Sequence, residues 1–157
     1  MPTAVPAAID YLVALFAASS ELGQAPQPVT VIDGPKVTAD PGPLALWVGV
    51  DDIETAAPAA ASSTQTREGL GHRPVEDFSV PCVAQAKSGS DDVRSLRVLA
   101  AGIVTAVETA VAGDRKLGGT VSLATPGGNA EWRQGPVASG VAVRVAFTID
   151  CKALPEP

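Results

Sequence analysis

The chain carries a single histidine, His72. It lies in Gly69-Leu70-Gly71-His72, with no serine, cysteine or acid at a recognisable spacing. A nucleophilic triad or a histidine metal site needs partners that fix the ring's tautomer and charge. His72 therefore reads as a solvated loop residue. Asp51, Asp52 and Glu54 form an acidic cluster of the kind that can hold a divalent cation. Their spacing is not that of an EF-hand loop, so they read as a solvated acidic turn, and Glu76 and Asp77 read the same way. Gly118-Gly119 and Gly127-Gly128 precede no helix and lack a following Gly-Lys-Ser/Thr, which makes them turn glycines rather than phosphate loops. Cys82 and Cys151 each fall on the apolar side of an expected strand and read as small buried hydrophobes. No Cys-x-x-Cys pair or Cys/His cluster has metal spacing. With no nucleophile beside a base, no metal set and no cofactor loop, the expectation is a chain that is not an enzyme, needs no cofactor and works through its surfaces.

Surface chemistry is better represented. Trp132-Arg133 joins an indole and a guanidinium beside a glycine-rich turn, and both residue types are favoured at interaction hot spots. Arg144 sits mid-strand on a mixed face. If that face is buried against a neighbouring subunit, Arg144 needs a carboxylate partner; if it is open to water, it needs none.

The elements that must position these residues follow from periodicity. From Val141, the residues Val141, Val143, Val145, Phe147, Ile149 and Cys151 alternate with Ala142, Arg144, Ala146, Thr148 and Asp150. Strand side chains point to opposite faces with a period of two, so this is a half-buried antiparallel strand about 36 Å long. Thr120–Thr125 is its expected partner, joined through the turn-forming Pro126–Asn129. A first helix is expected over Ala4–Ser20, capped by Thr3 and ended at Gly23. Strands follow at Val29–Asp33 and at Leu44–Val50, the latter apolar on both sides and so inside the sheet. Val75–Ala86 is a further strand, in which Pro81 requires an edge or a bulge. A second helix begins at a Ser90 cap, with Asp91 and Asp92 in its first turn, and stops at Gly113. Between strands, Asp51–Pro74 has small and polar residues with no apolar period, and reads as one long mobile loop containing Arg67 and His72. The whole predicts an α+β fold: an antiparallel sheet of about four to five strands, with two helices packed on one face.

Composition bounds the rest. At 157 residues the chain is one domain, residues 1–157. Its hydrophobic content is 46% but its aromatic content only 4%, so the core must be built from Val, Leu, Ile and Ala. The net charge is −6, and the 11 basic residues are scattered, with none before Lys36. Without a basic patch, neither nucleic-acid binding nor docking to an anionic membrane is expected. Tyr11–Ser19 is apolar enough for a signal core, yet no basic residue precedes it and Asp10 interrupts it. No run approaches the apolar length of a membrane span.

A helix ending in Ala112-Gly113-Asp114-Arg115-Lys116-Leu117-Gly118-Gly119-Thr120-Val121, then an irregular segment with Glu131-Trp132-Arg133, then a closing strand Val141–Cys151, resembles the C-terminal half of tail terminator proteins of long-tailed bacteriophages. The order of the preceding elements is similar to that family too. The resemblance implies a structural virion protein, present in the host cytoplasm during assembly and then in the tail. Such proteins form a homo-hexameric ring at the head-proximal end of the tail tube, stop its polymerisation and meet the head-completion or connector protein. Tail tube protein, head-completion protein and other copies of the chain are the implied partners, and DNA passes through the ring without sequence-specific binding. No catalytic residues come with the family. The residues expected at subunit or tube contacts are Trp132, Arg133 and Arg144, with Arg67 and His72 in the long loop. Two alternatives stay open, another head–tail connector or minor tail component and a small-molecule binding or hydrolase domain.

Overall fold

The computed structural model describes residues 3–24, 28–35, 41–53, 58–66, 74–89, 92–137 and 140–154. Its elements, in chain order, are α1 (Val5–Ala17), α2 (Ser20–Gln24), β1 (Thr30–Asp33), β2 (Leu44–Val48), β3 (Ser62–Thr66), β4 (Val75–Ser88), α3 (Val93–Gly113), a 3-10 turn (Leu117–Gly119), β5 (Leu123–Val137) and β6 (Gly140–Ala153). The fold is α+β. Its six-stranded sheet runs β1-β2-β4-β6-β5, with β3 pairing β4 off that path.

β4 and β6 are the spine, paired antiparallel from Glu76↔Ala153 to Ser88↔Val141. The expected alternation along β6 holds: Val143, Val145, Phe147, Ile149 and Cys151 all lie in the main core with the helices. β4 contributes Phe78, Val80, Cys82, Ala84 and Ala86 to the same face. Against that face lie Leu96, Ala100, Ile103, Val107 and Val111 of α3, one stripe at helical spacing. α1 adds Ala8, Leu12 and Phe16, each fully buried. Burying side chains such as Leu12 and Phe16 contributes about 1.5–3 kcal/mol apiece. By length and composition alone α3 is apolar enough to cross a membrane; here its stripe packs on the sheet, and Arg94, Arg97 and Glu108 are exposed.

Cys82 and Cys151 share this core but not a position. Cys82 pairs with Phe147 and Cys151 with Phe78, four residues apart along the ladder, or about 13 Å. That is too far for a disulfide, and both thiols are free. Burial pushes both thiols up to about 12, so neither is a ready nucleophile.

Several boundaries differ from expectation. β1 runs parallel to β2, with Thr30 opposite Ala45; four residues carry no signal of strand direction. Ser62–Thr66 is a strand within the expected long loop, paired with Val75–Ser79. It is exposed on nearly every residue, so no alternation marks it. The first helix divides at Ala18-Ser19, and Gly23 falls within α2 rather than capping α1. The cap of α3 is Asp92, whose carboxylate accepts from Ser95 N and Ser95 Oγ at 3.1 and 2.6 Å. Ser90 and Asp91 lie outside the described residues. Pro81 is not on an edge strand, and opposite it Gly49, at φ +78°, and Val50 stand two against one, the pattern of a bulge. On one side of β4, β2 pairs with residues 82–86 and β3 with residues 75–79, leaving a gap at Pro81. Its carbonyl accepts from Gly49 N and Val50 N there. A strand residue's N and C=O point the same way in an antiparallel ladder, so the missing N–H faces that same gap.

Candidate interaction surface

The largest departure concerns β5. Pro126–Asn129 is not the turn of a hairpin ending at Thr125. Leu123 rather than Thr120 begins the strand, which continues through this stretch to Val137. The register shifts between Pro126 and Ala130, so the glycines form a bulge in the strand. Gly127 has to be small, since a Cβ there would stand 2.1 Å from Thr148 Oγ1. Pairing with β6 continues as far as Val137↔Gly140. Trp132 and Arg133 are therefore not irregular; they sit in the middle of a paired strand.

That placement separates them. Cross-strand partners share a face. Trp132 pairs with Val145, a main-core residue, so the indole points to the helix side and is 49% exposed. Gln134 shares that side and accepts from Arg97 Nε of α3 at 2.9 Å. Arg133 pairs with Arg144 on the opposite, open side. There Arg133 bonds Glu131 Oε1 at 2.7 Å, both side chains largely exposed, so the pair adds at most about 1 kcal/mol to folding. Arg144 donates through Nε to Gln85 Oε1 at 2.9 Å, and Gln85 is only 5% exposed. A hollow on this side is rimmed by Asp51, Asp52, Glu131, Arg133 and Arg144. Asp51 also holds its own loop, accepting from Ala59 N at 2.8 Å. The structure thus brings Arg133 and Arg144 together and turns Trp132 away from them. Arg67, His72 and Glu54 lie outside the described residues. Among the described residues no group of three or more His, Cys, Asp or Glu could hold a metal ion.

Beside the hollow, Ile32, Ala45, Trp47, Val50 and Val83 form a small second core on the open face. Beyond it that face is polar. Asp150 bonds Ser79 Oγ and Thr148 Oγ1 there.

Two inward-facing polar devices hold the helices, and neither was expected. Glu76 is 5% exposed rather than solvated. It accepts from Ala4 N at 2.8 Å, Thr3 Oγ1 at 2.6 Å and Gln65 Nε2 at 3.3 Å, so a carboxylate from the sheet caps α1 together with Thr3, whose Oγ1 accepts from Val5 N at 3.2 Å. Burial alone would raise its pKa, but the three donors outweigh burial and hold the carboxyl below its ordinary value. The signal was available: Glu76, Phe78 and Val80 alternate onto one face. The second device is the stretch after α3. Asp114 accepts from Tyr11 Oη and from Gly118 N. Gly118 has φ +67°, and a Cβ there would meet Tyr11 Cε2 at 2.6 Å. Leu117, with φ 47°, is fully buried. The Tyr11 hydroxyl is the main reason the Asp114 carboxyl lies below its ordinary value, and the same bond raises the Tyr11 hydroxyl.

No family model matches the sequence, and no curated protein matches it.

Proposed function

We propose that this chain is a tail terminator of a long-tailed bacteriophage: a non-enzymatic structural protein that closes into a hexameric ring at the head-proximal end of the tail tube. The ring stops tube growth and offers its far side to a head-completion protein. The observation that carries this reading is the second half of β5. It lies at the end of the sheet, it is exposed at Ala130 through Gln134, and it presents Glu131, Trp132 and Arg133 within the segment that resembles the family. A domain whose core is closed by its own helices has no internal need for an exposed indole on an edge strand. Such a residue is an anchor for a contact with another chain.

In this reading Trp132, Arg133 and Arg144 lie at subunit contacts. The Asp51–Pro74 region, with Arg67 and His72, meets the tube or the lumen. The net charge of −6 suits a pore through which DNA passes, because basic walls would hold the phosphates. The test is recruitment. Purified chain is added to tail tubes of the phage that encodes it, and the mixture is imaged by negative-stain electron microscopy. The expected result is density at one tube end only, with further elongation by added tube subunits blocked. Binding along the tube wall, or none, would reject the reading.

A further inference from the structure

We propose that β5 is a self-pairing edge: two copies of this chain join their β5 strands antiparallel, with the two-fold axis at Trp132. This goes beyond the ring and does not depend on it. A two-fold pair has like ends, whereas a ring capping a polar tube has unlike faces. The pair is therefore a state of the chain away from the tube, and it must part before β5 can serve a ring.

The first support is the open edge. β5 ends the sheet, with β6 on one side and no strand on the other among the described residues. Unpaired strand edges are templates for another chain. Its usable window is short and symmetric. The bulge closes it before Ala130, and Gly135-Pro136 close it after Gln134. The centre of residues 130–134 is Trp132.

The second support is the order of charge. An antiparallel pair centred on Trp132 sets Glu131 of each copy opposite Arg133 of the other, giving two matched ion pairs. Centring on residue 131 or 133 would instead oppose Glu131 to Glu131 or Arg133 to Arg133, which is unfavourable. Charge thus selects one register. On the open side Arg133 already faces Arg144 across the ladder, and a carboxylate from the second copy would offset that like-charge neighbour. On the helix side the two half-exposed indoles meet each other, a cross-strand aromatic pair.

Five paired residues make a small interface, so the pair is reversible, with a Kd roughly in the micromolar range. Sedimentation equilibrium of the full chain tests it. The expected result is a monomer–dimer equilibrium that Glu131→Arg and Arg133→Glu each weaken at least about tenfold, while the double swap returns to within about threefold of the original. All four proteins should keep the same circular dichroism spectrum, since both side chains are exposed. Register is tested separately. Trp132→Cys should form a disulfide-linked dimer under mild oxidation and Ala130→Cys should not, because the two 130 positions would be about 13 Å apart along the strands. A monomer at every concentration up to roughly 1 mM, or a double swap no tighter than the single ones, would overturn the pair. So would an uncrosslinked Trp132→Cys. A mass near six chains with no dimer would also overturn it, while leaving the ring reading standing.

Discussion

Two short stretches of the C-terminal third, Asp114–Gly119 and Glu131–Arg133, use similar residue types in opposite directions. The first points inward. Asp114 ties Tyr11 of α1 to the end of α3, Leu117 is in the core, and Gly118 leaves room for the tyrosine ring. The second points outward. Glu131 and Arg133 bond each other in a solvated pair, and Trp132 stays half exposed on the helix side. A charged or aromatic residue thus says little by its type alone; what it touches decides whether it specifies the fold or the assembly. The difference also divides the expected consequences of mutation. Changes in the inner stretch should cost stability and reach assembly only through it. Changes in the outer stretch should cost assembly and leave the monomer folded.

The largest effect on folding is expected from Gly118→Ala. It forces a Cβ onto the Tyr11 ring and places a side chain at positive φ, costing about 3 kcal/mol. The thermal midpoint should drop by roughly 5–10 °C in a circular dichroism melt. A midpoint unchanged by this substitution would break the inner half of the comparison. Glu76→Ala comes next, at about 2 kcal/mol, because it removes the carboxylate that caps α1 alongside Thr3 and leaves three part-buried donors unmatched. Its acid dependence sharpens the point. The folded carboxyl lies below its ordinary value of 4.5, so its contribution is complete above that value. It is lost as pH falls through the folded pKa. Melts between neutral pH and pH 3 should show the wild-type protein losing stability in acid more steeply than Glu76→Gln.

Smaller effects follow. Arg144→Ala removes the donor to Gln85 Oε1, a nearly buried residue, and should cost about 1 kcal/mol in urea unfolding. Trp132→Ala with Arg133→Ala should change folding stability by no more than about 1 kcal/mol, as expected of exposed positions. The same double variant should nevertheless abolish ring assembly at the tube. If it unfolds the monomer, Trp132 belongs to the core and the comparison fails.

Much of the architecture could be read before the structure. The alternation from Val141 to Cys151, the stripe from Leu96 to Val111 and the double apolar face of Leu44–Val48 each report burial directly, because burial is what periodicity records. β3 left no such record, since Ser62–Thr66 lies at an edge with both faces wet. β5 was cut short for a related reason. Pro126-Gly127-Gly128-Asn129 has the composition of a turn, and only the pairing on either side of it shows a bulge. Trp132, Arg133 and Arg144 were legible as surface residues, but not that the bulge would turn the indole to one face and the two arginines to the other. Glu76 carries two opposed signals, a charge that favours water and a place in the alternation that faces the helices, and the alternation decides its position. The bond from Tyr11 to Asp114 joins residues more than a hundred positions apart, and no local pattern marks such a contact.

The measurement that bears most directly on the proposed role is the length distribution of tails made in cells infected by a long-tailed phage that, as proposed, carries this gene. It would be taken by electron microscopy with the gene intact, with the gene deleted, and with Trp132→Ala/Arg133→Ala in its place. The account predicts uniform tails in the first case and tubes of uncontrolled length in the other two. Uniform tails from the deletion would contradict it.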